Sequence, residues 1–139
     1  MGIYATEAGN VRTFNGANFI SAAALMAVGN VTAYYSDERL KDFWGKIPNA
    51  VKKIMALNGY YFTENDTAKK LGYKNDRLQV GLSAQEVEKV FPEVVTDSPI
   101  GHGYKTLWYE KFTPLFIEAI KEQQAQIDAL RATIKGLVK

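Results

Sequence analysis

The chain has 139 residues, 47% hydrophobic, 12% aromatic and 23% charged, which suits an ordered protein of one or two small units and excludes a disordered chain. Its 17 Lys and Arg against 15 Asp and Glu leave a net charge of +2, and the basic residues are spread singly or in pairs. That pattern offers neither a cationic tail nor a recognised nucleic-acid module. With no cysteine and one histidine, His102, there is no disulfide framework, no thiolate metal site and little scope for zinc, so no cofactor or metal is expected. The longest apolar run, ISAAALMAV at 20–28, is too short to cross a bilayer and lacks a signal peptide's basic start, so no membrane partner is expected.

Residues 1–35 carry Gly9-Asn10, Asn15-Gly16 and Gly29-Asn30 between short β-rich pieces, NVRTF and NVTAYY. Turns punctuating short strands are predicted. The alanine-rich run between them supplies few large side chains, so this region is expected to complete its packing with other copies of the chain or with something upstream.

From Ser36 to about residue 108 the pattern is mixed. NAVKKIMAL, 49–57, spaces Val51, Ile54, Met55 and Leu57 for a helix with Pro48 just ahead. The strand-like YYFT, 60–63, and LQVGL, 78–82, flank a polar stretch and predict a long-armed hairpin. Tyr60, Tyr61, Phe62 and Tyr73 would form either an exposed aromatic patch on that arm or ordinary cross-strand pairs. Ser83 ahead of AQEVEKVF, with Glu86 three residues on, is a capping-box pattern, and Pro92 ends that helix. His102, in the glycine-flanked PIGHGY, reads as a loop residue. Phe43, Trp44, Trp108 and Tyr109 are expected in the core or at subunit contacts.

From Glu110 onward the helical signal is clearest. Phe116, Ile120, Gln123, Ile127, Leu130, Ile134 and Leu137 alternate in steps of four and three, which places isoleucine at three successive a positions and leucine or glutamine at d. Such a seam calls for a partner helix. Isoleucine at a with leucine at d favours two strands, while Gln123 weakens any count, so the periodicity predicts an oligomer without fixing its number.

The segment AYYSDERLKDF, 33–43, has two readings. Ser36 as N-cap, with Asp37 and Glu38 in a first turn, makes it a helix start. Ser36 and Lys41, five positions apart, come together only where the chain bends between them, because neither a straight helix nor a strand puts both on one face.

SDERLK resembles the S-D-x-R-L-K signature of the intramolecular chaperone domain at the C-terminus of phage endosialidase tailspikes, tail fibres and neck appendages, the S74 peptidase family. VGLSAQEVEKVFPEVV, 80–95, and GYKTLWYEKFTPLFIEAIKEQQAQIDAL, 103–130, are similar to later blocks of the same family in the same order. The resemblance implies an α+β fold: an intertwined β-rich N-terminal segment, a mixed middle with a long hairpin arm, and a long coiled-coil-like C-terminal helix, assembled as a homotrimer. It divides the chain into the end of a β-rich fibre passenger, 1–35, and a chaperone and self-cleavage domain, 36–139. It further implies cleavage between Tyr35 and Ser36, with Ser36 as nucleophile, Lys41 as base, and Asp37 and Arg39 supporting the turn. Ile120, Gln123, Ile127, Leu130, Ile134 and Leu137 would join the subunits. The implied partners are the chain's own copies and its upstream passenger. The implied setting is the host cytoplasm during virion assembly, with the passenger kept in the virion tail and the chaperone released.

A free lysine has roughly one neutral molecule in two thousand at pH 7, so a lysine base needs its pKa lowered by about three units. Burial and a neighbouring cation such as Arg39 act in that direction. Asp37 would act against it, and is therefore expected to face Arg39 or backbone amides. The competing reading is a non-cleaving, permanent oligomerisation module at a fibre tip, with SDERLK as a plain helix cap.

Overall fold

The computed structural model describes residues 3–5, 11–13, 27–31 and 35–138, the first two stretches by their backbone. The chain falls into two units that meet in sequence between Phe43 and Trp44.

In the first unit, β1 (Ile3–Ala5) and β2 (Val11–Thr13) pair antiparallel, with Ile3 opposite Thr13 and Ala5 opposite Val11. The expected strand NVRTF contains β2. Most of the ISAAALMAV run and residues 32–34 of NVTAYY lie outside the described residues, as does the intertwined packing expected of them.

The second unit runs α1 (Ala50–Met55), β3 (Tyr60–Phe62), α2 (Asp66–Lys70), β4 (Gln79–Gly81), α3 (Ala84–Val90), β5 (Val95–Asp97), β6 (Lys105–Leu107) and α4 (Thr113–Leu137). Strands β3 and β4 pair antiparallel with Tyr60 opposite Gly81, but the connection is no extended arm. Asn65 accepts from Ala68 N at 3.0 Å and caps α2, and Asp66 sits in its first turn, so the polar stretch that looked like a hairpin arm carries its own helix start.

Helix α3 begins as expected at Ser83, whose Oγ accepts from Glu86 N at 3.4 Å. Only half of the capping box forms. The Glu86 carboxylate turns instead to Tyr60 Oη, which donates to it at 2.6 Å, and to Asn58 Nδ2 at 3.4 Å, tying α3 to the start of β3. The helix ends at Val90, ahead of Pro92. Strands β5 and β6 then form a hairpin whose tip, Gly101-His102-Gly103, has φ of 73, 58 and 73°. Two glycines carry that left-handed run at no steric cost, and His102 between them is a turn residue.

The core is small: Ala50, Val87, Phe91, Val94, Leu107, Phe112, Leu115 and Ala119. Phe91 and Phe112 meet edge to face at 5.9 Å, and Trp108 N donates to Val94 O at 2.9 Å, joining the end of β6 to the turn after α3. Helix α1 has no side-chain cap of its own, because Asn49 adopts a left-handed conformation (φ 54°). Its cap arrives from α4. The Glu122 carboxylate accepts from Ala50 N at 2.8 Å and Val51 N at 2.9 Å, and these bonds, Val51's foremost, hold its pKa below the ordinary glutamate value. At the other end of α1, Lys53 Nζ donates to Val90 O at 2.6 Å.

Leu115→Ala should cost roughly 2–5 kcal/mol in denaturant unfolding, since Leu115 is fully buried where α4 meets the core. Glu122→Gln should lower the melting temperature at neutral pH and flatten the acid limb of stability against pH. A depressed folded pKa contributes stability above the ordinary glutamate range, and that contribution is lost as pH falls through the folded value.

Candidate functional site

The SDERLK segment is a bend. Asp37 is extended (φ −63, ψ 124°), Glu38–Leu40 form one 3-10 turn, and Lys41 is extended again (φ −137, ψ 137°). The cap is Asp37, which corrects the expectation that Ser36 would serve. Asp37 is the residue directly before the turn, and its Oδ1 accepts from Arg39 N at 2.9 Å, which leaves no capping role for Ser36.

Arg39 closes back on the same carboxylate, donating from Nε at 3.0 Å to Oδ1 and from Nη2 at 2.6 Å to Oδ2. This forked pairing is the geometry in which an arginine holds a carboxylate most firmly. It depresses the Asp37 pKa, with the Arg39 side chain contributing most, its backbone N–H next, and the charge of Lys41 a smaller share. Asp37 is thus engaged mainly with Arg39.

The turn carries Lys41 back toward the residue before Ser36, with Lys41 Nζ 5.8 Å from the centre of the Tyr35 ring. The bend required by a five-residue separation is therefore present, and it returns the lysine to the Tyr35 ring. Ser36 and Lys41 are both exposed, and no hydrogen bond joins them. The ammonium faces an aromatic ring instead, a cation–π contact.

The residues expected to join subunits lie on one continuous helix, α4. Ile120, Gln123, Ile127, Leu130, Ile134 and Leu137 are all exposed, so the seam is uncovered in the single chain. Phe43 and Trp44 are 73% and 99% exposed, which removes them from the chain's own core. Trp108 is partly covered, with the Lys111 ammonium 3.3 Å from its ring centre. Tyr60, Tyr61, Phe62 and Tyr73 are each exposed, and Tyr61 lies opposite Val80 on an open face of the β3–β4 pair. Among the described residues no cluster of His, Asp and Glu could hold a metal ion, and no helix is long and apolar enough to cross a membrane.

Two sequence blocks that lie far apart meet in the fold. Tyr109 Oη, from YKTLWYE, accepts from Leu82 N at 3.2 Å, at the junction where VGLSAQEVE passes from β4 into α3. A Cβ on Gly81 would stand 3.1 Å from Phe62 Cε1 and 3.3 Å from Tyr109 Oη, so any larger residue there would have to push one of these side chains aside by a few tenths of an ångström.

Residues 36–96, from the serine of the turn into β5, match the family model described as chaperone of endosialidase. This segment belongs to that family. The chain is also similar to long tail fiber protein Gp37 of Enterobacteria phage K3, with 31% identity over 101 residues. Gp37 of Escherichia phage AR1 is 34% identical over 87 residues. These matches cover 71% and 63% of this chain but only 8% of each relative, so the chain spans about a twelfth of the curated relatives it matches.

Three interactions of the second unit were not foreseen from sequence: Glu122 on the α1 N-terminus, Tyr60 on Glu86, and Tyr109 on Leu82. Glu122 had a faint signal, being an acidic residue beside a seam that is apolar apart from Gln123.

The Asp37 carboxyl should titrate below the usual carboxylate range in a carbon-13 NMR titration, and Arg39→Ala should return it toward about 3.9. Because the folded pKa is the lower one, the turn gains from this pairing above the ordinary aspartate range and loses it as pH falls through the folded value.

Proposed function

We propose that this chain ends a phage tail fibre and assembles it. Residues 36–139 bring the chains together as a trimer, fold the β-rich passenger upstream, and then leave by cutting the Tyr35-Ser36 bond. The observation that carries the chemistry is the return of Lys41 to Tyr35 across a turn fixed by Asp37 and Arg39. The passenger is read from the relatives, which are tail fibre proteins, and the number of chains from the family resemblance.

In the cleavage step Ser36 Oγ attacks the Tyr35 carbonyl carbon while a neutral Lys41 amine takes the hydroxyl proton. The peptide C–N bond breaks as Lys41 returns that proton to the departing Ser36 nitrogen. The Tyr35 acyl group is then an ester on Ser36 Oγ, and water hydrolyses it to a Tyr35 carboxylate and a free Ser36 hydroxyl. The attack runs within one chain or from a neighbouring one.

The turn is exposed in the single chain, and a lysine becomes a base chiefly through burial or a nearby cation. Arg39 is spent on the Asp37 carboxylate, so the burial must come with assembly, and cutting follows correct association. Loss of the assembling unit leaves a passenger unable to retrace its folding route, which is a kinetic form of stability.

On a denaturing gel the assembled protein should run as fragments 1–35 and 36–139, and Ser36→Ala or Lys41→Ala should each leave it whole. An intact band from the assembled, unmutated protein would make it a permanent oligomerisation module instead.

A further inference from the structure

Helix α4 has two flanks beside its seam, and they differ. With Ile120, Ile127 and Ile134 at a, Leu115 and Glu122 fall at c and Ala119 at g, and this is the flank against which α1 is clamped. An apolar groove of about 220 Å³ remains there, lined by Val51, Ile54 and Met55 of α1 and by Phe116, Ala119 and Ile120 of α4. The opposite flank at the same level carries Ile117 at an e position. It is 49% exposed, at a site where coiled coils ordinarily place charged residues.

Groove and isoleucine lie on either edge of the seam, with Ile120 between them, and Ile117 is not among the groove's lining residues. In a parallel bundle the e flank of each helix faces the g flank of its neighbour. The groove is also continuous with the a and d residues, because Phe116 and Ile120 belong to both. We propose that the α1–α4 groove is the seat for Ile117 of a second copy of this chain, so that α1 forms part of the oligomer interface. The contact is head-to-tail, and it closes into a ring when repeated around the bundle axis. The inference rests on the self-association proposed above and names a surface for it beyond the seam.

The chain contains no cysteine, so introduced thiols report on their own positions alone. Met55→Cys combined with Ile117→Cys, oxidised in the full chain, should give a disulfide ladder that stops at the subunit number, and neither single variant should do so. Ile127→Cys alone should cross-link across the seam as a control, and Ile117→Lys should weaken self-association by about tenfold or more, as loss of a buried aliphatic side chain implies. Sedimentation of the unoxidised protein separates the failures. An oligomer that cross-links through Ile127→Cys but not between positions 55 and 117 overturns the groove contact and leaves the assembly reading standing, whether the groove is empty or holds another protein. A monomer overturns both.

Discussion

The Glu122 carboxylate on the first turn of α1 is the constraint around which the second unit is arranged. A six-residue helix is well below the length of about 12–15 residues at which helices become even marginal alone, and Asn49, left-handed, gives this one no side-chain cap. Two backbone N–H groups at 2.8 and 2.9 Å from one carboxylate supply what the local sequence omits. The opposite arrangement holds where Lys53 meets the carbonyl of Val90, the last residue of α3. An anion at one helix start and a cation at another helix end each complement the local dipole, so α1 bridges α4 to α3 by charge before its apolar face adds packing. Ala50, fully buried beside the clamp, shows how close the two helices come.

Elements with local causes were legible in the sequence. Helix α3 was readable from Ser83 and Pro92, α4 from its steps of three and four, and β3 and β4 from short β-branched and aromatic runs between turn residues. The failures share one cause, competition for a polar group. Glu86 fits a capping box until Tyr60, twenty-six positions away, offers a better donor, and a local motif cannot anticipate that rival. Ser36 looked like the cap because it precedes the charged run, yet Asp37 is next to the turn and has a stronger acceptor. The supposed hairpin arm failed for lack of weight given to Asn65, a local signal that was present. At the candidate site the need for a bend and the engagement of Asp37 with Arg39 could be argued from spacing and charge. The contact of Lys41 with the Tyr35 ring could not, since it depends on where one 3-10 turn releases the chain.

Eight buried residues are few for the second unit, and none of them is polar. Eight further apolar side chains are half-buried against them, and exposed ones are arrayed along α4, on the β3–β4 face and beside the α1–α4 groove. Contiguous exposed apolar surface of this kind marks a place where another molecule belongs. The fold thus has two parts: a compact core orients α4, and α4 leaves its seam residues exposed in the single chain. The Glu122 clamp links the two, because the carboxylate that positions α1 sits on the helix that carries the seam.

The turn at residues 36–41 stands apart from this arrangement. Among the described residues its hydrogen bonds reach no further than three positions along the chain, and it belongs to the first unit rather than to the one holding the core. A turn held only by its own neighbours can form early and in any context, so its shape alone cannot tell a finished assembly from an unfinished one. Control of the proposed cleavage must then lie in what local geometry does not provide, namely the burial that keeps a lysine neutral and the donors that stabilise the developing oxyanion. Both can arrive only with other chain segments. A site whose shape is local and whose electrostatics are supplied by association is silent in the single chain and competent in the assembled one, which is the timing that a tool cutting itself away requires.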